Sequence, residues 1–190
     1  MSETTDKFFN ELEGASDELA RRVERFLIRE ARLLDARHYA EWSRCLHDDF
    51  RYVVLNRFTP ELRGKLPEHS VDNEFHTGYA LQFVEDDKAS IEKRLQRYTG
   101  GLSFSENPAA RTMRMVSNVE VGVERGAGGG HVVARSYLHC NRTRKDNVIE
   151  DYFACRKDRL IEQDGTLLLT QRQVLLNDTV LNASALGIFL

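Results

Sequence analysis

Cysteine and proline occur only three times each in the 190 residues, and no apolar run approaches membrane length. Cys45, Cys140 and Cys155 are widely spaced, odd in number and form no Cys-x-x-Cys pair, which argues against a disulfide framework and for reduced structural thiols. The longest apolar stretches, such as Leu167–Leu169 and Val174–Leu176, fall far short of the about 20 residues a membrane helix needs. Excess charge of either sign is missing too. With 27 basic against 30 acidic side chains the formal net charge is -3, and nothing global points to nucleic acid. The opening residues carry Glu3, Asp6 and Glu11 and lack the basic start and apolar core of a secretory signal. A cytoplasmic protein with neither membrane nor nucleic acid as partner is expected.

What is present fits one core: residues 1–15 read as a polar leader and 16–190 as a single domain, with 41% hydrophobic content. Ser16 caps a helix on which Leu19, Val23, Phe26, Leu27 and Leu34 recur at helical spacing. A bend at Asp35-Ala36-Arg37 leads to a second short helix holding Tyr39, Trp42 and Leu46, and Phe50–Leu55 reads as a strand. The polar stretch 57–78, broken by Pro60, Gly64 and Pro67, has the length of a functional or partner-binding loop. Asp86 or Asp87 caps a third helix, lined by Ile91, Leu95 and Tyr98 and stopped by Gly100-Gly101.

From Thr112 the period becomes two. Met113, Met115, Val119, Val121 and Val123 are expected on a buried face, with Arg114, Asn118, Glu120 and Glu124 on the other. A glycine-rich turn at 126–130 leads to a strand carrying Val132, Ala134, Leu138 and Cys140, and two further strands, Val148–Lys157 and Leu167–Leu176, are joined near Gln163-Asp164-Gly165. Helices first and long hairpin-linked strands last predict an α+β fold, a curved antiparallel sheet wrapped around N-terminal helices. The tail 180–190 is too apolar to stay in water and is expected to pack on its own sheet or on a neighbour.

Six segments stand out in order along the chain: Glu30-Ala31-Arg32-Leu33-Leu34-Asp35 with Trp42; Asp86-Asp87-Lys88 with Ile91, Arg94, Leu95 and Arg97; Glu106-Asn107-Pro108-Ala109-Ala110-Arg111-Thr112 with Val116-Ser117-Asn118-Val119; Arg156-Lys157-Asp158-Arg159-Leu160; Arg172-Gln173-Val174-Leu175-Leu176-Asn177-Asp178; and the closing Leu186–Leu190. Together they resemble the β (small) subunits of Rieske-type aromatic-ring-hydroxylating dioxygenases. The strand after Asp49 departs from that pattern by lacking a proline. The resemblance implies a cone-shaped fold of the scytalone dehydratase, nuclear transport factor two and cystatin-like kind. It also implies a hexamer of three α and three β chains with β–β trimer contacts. In such enzymes the α chain holds a Rieske [2Fe-2S] cluster and a mononuclear Fe(II), takes NADH-derived electrons through ferredoxin and reductase, and yields a cis-dihydrodiol. The β chain holds no cofactor.

The residues agree with that last implication. Cys45-Leu46-His47 supplies half of a Rieske ligand set, but neither Cys140 nor Cys155 begins the Cys-x-x-His second half. His69, Asp72, Glu74 and His76 are the types a mononuclear iron takes, yet they fall in a loop with no helix or strand to fix their convergence. His131 and His139 share a strand face but stand eight residues apart, roughly 26 Å. The glycine run lacks the Gly-Lys-Ser/Thr of a phosphate loop, and no Gly-x-Ser-x-Gly elbow occurs. No catalytic, cofactor or metal residue is assigned on this reading. Arg94, Arg97, Arg111, Arg159 and Arg172 are candidates for subunit contacts, since guanidinium forks pair strongly with carboxylates. A second reading is a stand-alone dehydratase or isomerase on the same cone, with Asp35, Tyr39 and Trp42 in its pocket and a desolvated Asp35 as base. A binding or scaffold module is the third.

Overall fold

The computed structural model describes residues 8–9, 11–60, 71–75, 82–99, 109–126, 129–145, 148–180 and 186–190. Helix α1 (Asp17–Asp35) starts at the expected cap: Ser16 is extended, its Oγ accepts from the Leu19 N–H at 3.2 Å, and Asp17 and Glu18 lie at the positive end of the dipole. It ends in a Schellman turn without glycine. The His38 N–H donates to the Leu33 carbonyl at 2.8 Å and the Arg37 N–H to that of Leu34 at 3.1 Å, with Arg37 at φ 60. The Arg37 guanidinium helps hold this costly conformation by donating to the Ala110 carbonyl at 2.7 Å. Val23, Leu27, Ala31 and Leu34 form the buried stripe, and one charged side chain, Glu30, is buried beside them.

Helix α2 (Tyr39–Ser43) is a short turn that carries Trp42 inward. The expectation that it reaches Leu46 is corrected, because Leu46 opens β1 (Leu46–Leu55) and pairs with Leu169. Strand β2 (Val84–Asp87) pairs antiparallel with β1 and was not anticipated: four residues, three of them acidic, show no alternation. Helix α3 (Lys88–Thr99) follows, capped by Asp87, whose Oδ1 accepts from the Ser90 N–H at 2.8 Å. The stop at Gly100-Gly101 lies outside the described residues.

Strands β3 (Arg111–Gly126), β4 (Gly129–Arg144), β5 (Val148–Gln163) and β6 (Thr166–Leu176) make an antiparallel meander. β5 runs on to Gln163 instead of ending near Lys157, and the turn after it places Asp164 at φ 50 and Gly165 at φ 74. The sheet order is β2-β1-β6-β5-β4-β3, antiparallel except where β1 lies parallel to β6. Its inner face, with Tyr52, Val54, Leu138, Cys140 and Leu169, packs against the helices as one core. The result is the expected α+β fold, a curved sheet around helices.

One expectation about β3 is overturned. The register slips between Ser117 and Glu120, where Asn118 takes φ 50. An extra residue in one strand exchanges the faces on either side of it. Met113 and Met115 are therefore 63% and 52% exposed, while Val116, Val119 and Val121 pack on the core. Arg114, expected among the solvent-facing residues, turns inward for the same reason, with its side chain 3% exposed. On the outer face a smaller cluster joins Leu55, Phe75, Cys155 and Leu175 to Phe8, so the segment before α1 lies against the sheet. Gly14 bridges Gly122, where an added Cβ would stand 2.8 Å from the Glu13 nitrogen.

Candidate functional site

Among the described residues, the space beside Trp42 inside the sheet is taken up by the chain's own closing residues, Leu186 to Leu190. Phe189 lies 4.8 Å, centroid to centroid, from Trp42, with Tyr52 and Tyr98 edge-on and the Arg94 guanidinium 4.4 Å from its ring centre. Tail backbone groups are taken up one by one. Tyr98 Oη donates to the Gly187 carbonyl at 3.1 Å, Arg114 Nη2 to that of Phe189 at 2.8 Å and Arg94 Nη2 to that of Leu186 at 3.2 Å, while Tyr52 Oη accepts from the Leu190 N–H at 3.0 Å. For the described residues 186–190 the expected burial of the tail thus takes place on its own chain, whereas Val180 is 70% exposed and 181–185 lie outside the described residues. What remains between Leu34, Tyr39, Tyr98, Arg114 and Phe189 is a cavity of ≈ 30 Å³. That volume admits a water molecule, whereas small-molecule pockets run to about 300–1,000 Å³.

The pocket residues of the dehydratase reading are occupied. Asp35 accepts from the Arg114 backbone N–H at 2.8 Å, from Thr112 Oγ1 at 2.9 Å and from the Arg114 guanidinium, which leaves little lone-pair capacity for a substrate proton. Trp42 is buried, and its Nε1 donates to Glu30 Oε1 at 2.9 Å. Tyr39 stacks beside Tyr98 at 5.8 Å.

Glu30 is the centre of a buried ionic group. Arg172 grips it with Nη1 at 2.5 Å and Nη2 at 2.8 Å, and holds Asp158 with Nε at 2.7 Å and Nη2 at 2.9 Å. Arg156 Nη1 approaches Glu30 at 3.7 Å, so two guanidinium groups face two carboxylates in the core. Burial pushes the Glu30 carboxyl up, but the charge and hydrogen bonds of Arg172, the charge of Arg156 and the Trp42 N–H together hold it down at about 2. Arg172 is raised well above its ordinary value because Asp158 and Glu30 outweigh its burial. Burial, then the neighbouring Arg172, lowers Arg156 to about 10.

Among the described residues, the candidate metal ligands do not converge on one point. Burial pushes all three thiols up, Cys155 to about 11, and each is enclosed in the fold. Cys45 Sγ sits 3.7 Å from the Glu41 carbonyl, and His47 Nδ1 accepts from the Asp49 N–H at 3.2 Å. Asp72 accepts from the Phe8 N–H at 3.0 Å and Glu74 is paired with Arg57, while His69 and His76 lie outside the described residues. His139 pairs with Asp151 at 2.8 Å and stacks on Phe153. Among the described residues no group of three or more His, Cys, Asp or Glu is placed to hold a metal ion.

The five arginines are distributed differently from one another. Arg172 is 1% exposed, in the ionic group above. Arg94 pairs with Asp86, and Arg159 with Glu124 at 3.0 Å and Gln171 at 2.5 Å. Arg97 and Arg111 are exposed. Arg114, Glu30 and Asp158 are interior charges that the residue pattern does not reveal, the one cue for Arg114 being Asn118 within its strand. No helix of the described residues is long and apolar enough to cross a membrane.

These features define an α+β domain in which a curved sheet and its helices share one core that takes in the described tail residues. Residues 29–183 match the ring hydroxylating beta subunit family, and the chain belongs to that family. Benzene 1,2-dioxygenase subunit beta of Pseudomonas putida is 29% identical over 187 residues, covering 97% of this chain and 95% of that protein. The N,N-dimethyl phenylurea N-demethylase subunit beta of Sphingobium sp. is 31% identical over 172 residues, with 87% and 88% covered. The solved naphthalene 1,2-dioxygenase with indole in its active site superposes with a TM-score of 0.78 at 24% identity, covering 97% of this chain and 90% of that one. A scytalone dehydratase candidate from Novosphingobium aromaticivorans superposes with a TM-score of 0.56 at 13% identity, covering 87% and 89%, which extends the likeness of fold to the conical enzymes.

Proposed function

We propose that this chain is the non-catalytic β subunit of a bacterial aromatic-ring-hydroxylating dioxygenase, assembled with α subunits as an α3β3 hexamer in the cytoplasm. The α chain carries the Rieske cluster and the mononuclear iron, receives NADH-derived electrons from ferredoxin and reductase, and cis-dihydroxylates the ring. The β chain gives that assembly a rigid base. The observation that carries the reading is the family match over residues 29–183, with relatives that bear the names of dioxygenase subunits. The cavity of ≈ 30 Å³ left beside Tyr39 and Arg114 by the described tail residues weighs against the dehydratase and isomerase reading, for which Asp35 would have to be free of Arg114.

Of the arginines, exposed Arg97 and Arg111 are the ones we assign to subunit contacts. Co-expression with the larger chain tests both parts of the reading. Arg111→Ala is expected to lower the yield of hexamer on a sizing column without changing the iron content of each intact α chain. Unchanged assembly would count against the interface role, and failure of any larger oxygenase chain to co-purify with the wild type would overturn the subunit reading.

A further inference from the structure

Helix α1 carries more positive charge on one side than the fold uses. Arg22, Arg25 and Arg29 recur at i, i+3 and i+7, so they stand along one face, and Arg44, just past α2, lines the same groove. Arg25 and Arg29, four residues apart, repel each other and weaken the helix they stand on. Arg22 is relieved by Glu162 of β5, which it grips with Nη2 at 2.7 Å and Nη1 at 3.3 Å. The guanidinium groups of Arg25, Arg29 and Arg44 are exposed and have no ion-pair or hydrogen-bond partner among the described residues. In a chain of net charge -3 this is a local excess. The groove between them measures ≈ 840 Å³, with Phe26 and Leu167 in its walls. Glu41, already 3.7 Å from His38, is the one carboxylate in its lining among the described residues.

We propose that this groove binds an acidic segment of a partner protein, with carboxylates on Arg25, Arg29 and Arg44 and an apolar side chain against Phe26 and Leu167. The inference goes beyond the oxygenase reading and does not depend on it. Three features select that occupant. The paired contact of Arg22 with Glu162 is the chain's own example of how a guanidinium on this face takes a carboxylate. The spacing is that of a chain and not of a single ion: Arg22 to Arg29 spans about 10 Å along the helix axis, at 1.5 Å per residue. Alternate side chains of an extended peptide stand about 7 Å apart, so two or three carboxylates cover that length with apolar residues between them. The positive surface is also short. Glu18 lies one turn before Arg22 on the same side and Glu162 beside it, so the continuous basic stripe on which a phosphate backbone runs is missing.

The test is fluorescence anisotropy of the full chain with a short labelled peptide of glutamates flanking one phenylalanine, and with its counterpart carrying glutamine for glutamate. Arg25→Gln with Arg29→Gln, and Arg44→Gln added to them, remove charge from exposed positions with a good helix former; circular dichroism checks that they fold. Arg51→Gln with Lys93→Gln, exposed on β1 and α3, removes the same charge elsewhere and is the control. The acidic peptide is expected to bind with a Kd below about 100 micromolar at low salt. The groove variants are expected to weaken it about tenfold or more, and the control double variant by less than about twofold. An acidic peptide that does not bind, a glutamine peptide that binds equally, or a control that weakens binding as much as the groove variants overturns the proposal. A single-stranded oligonucleotide that binds the groove more tightly at the same salt overturns it in favour of nucleic acid. The peptide is expected to bind the complex with the larger chain as well; binding lost on assembly overturns the proposal, because the larger chain is then the occupant. Peptide binding by a chain that no larger chain captures supports the groove while refuting the subunit reading.

Discussion

Glu30 shows how one interior charge can be tolerated. It is wholly buried on a helix otherwise apolar on that side, and it stays ionised because Arg172, Arg156 and Trp42 converge on it. Such a group is fragile when broken: removing one member leaves an uncompensated charge in the core, at a cost of about 3–5 kcal/mol. Glu30→Ala is expected to lose stability of that order in urea unfolding. The same carboxyl sets an acid limit. Its folded value, about 2, lies below the ordinary 4.5, so its contribution is fully present above pH 4.5 and is lost as pH falls from there towards 2. Urea midpoints of the wild type should decline through that window, and those of Glu30→Ala should decline less; parallel declines would contradict the role. Arg172 was conspicuous in the sequence as a candidate contact residue. Its partners were not, because Glu30 and Asp158 are brought to it by a helix and a neighbouring strand.

At the scale of elements, the period of a segment was easier to read than its phase. The alternation in β3 predicted a strand correctly, but a single residue at φ 50 exchanged its two faces. That exchange sent Arg114 to Asp35 and the methionines to the surface. Asparagine tolerates the left-handed conformation, so Asn118 was the available sign. The tail was legible as apolar, and only the tertiary fold shows where it goes. Phe189 is packed between Trp42, Tyr52, Tyr98 and Arg94, so Phe189→Ala should cost about 3–5 kcal/mol by thermal or chemical unfolding. It should do so without conferring dehydratase or isomerase turnover; gain of such activity would revive the enzyme reading.

For the whole molecule, the fold class followed from helices first and hairpin-linked strands after, and the four-residue β2 escaped because it is too short and too acidic to alternate. What the described residues offer other molecules is an apolar sheet face and exposed arginines, whereas the three thiols are buried within the fold. The central claim is that it serves a dioxygenase through shape and contact, with the redox centres in another chain. The most direct measurement is iron per polypeptide in the purified, unaccompanied chain, produced with ample iron and compared with its complex with the larger chain. Iron well below one atom per chain in isolation, with iron recovered only in the complex, is the predicted result; about one atom held by the chain alone would contradict the account.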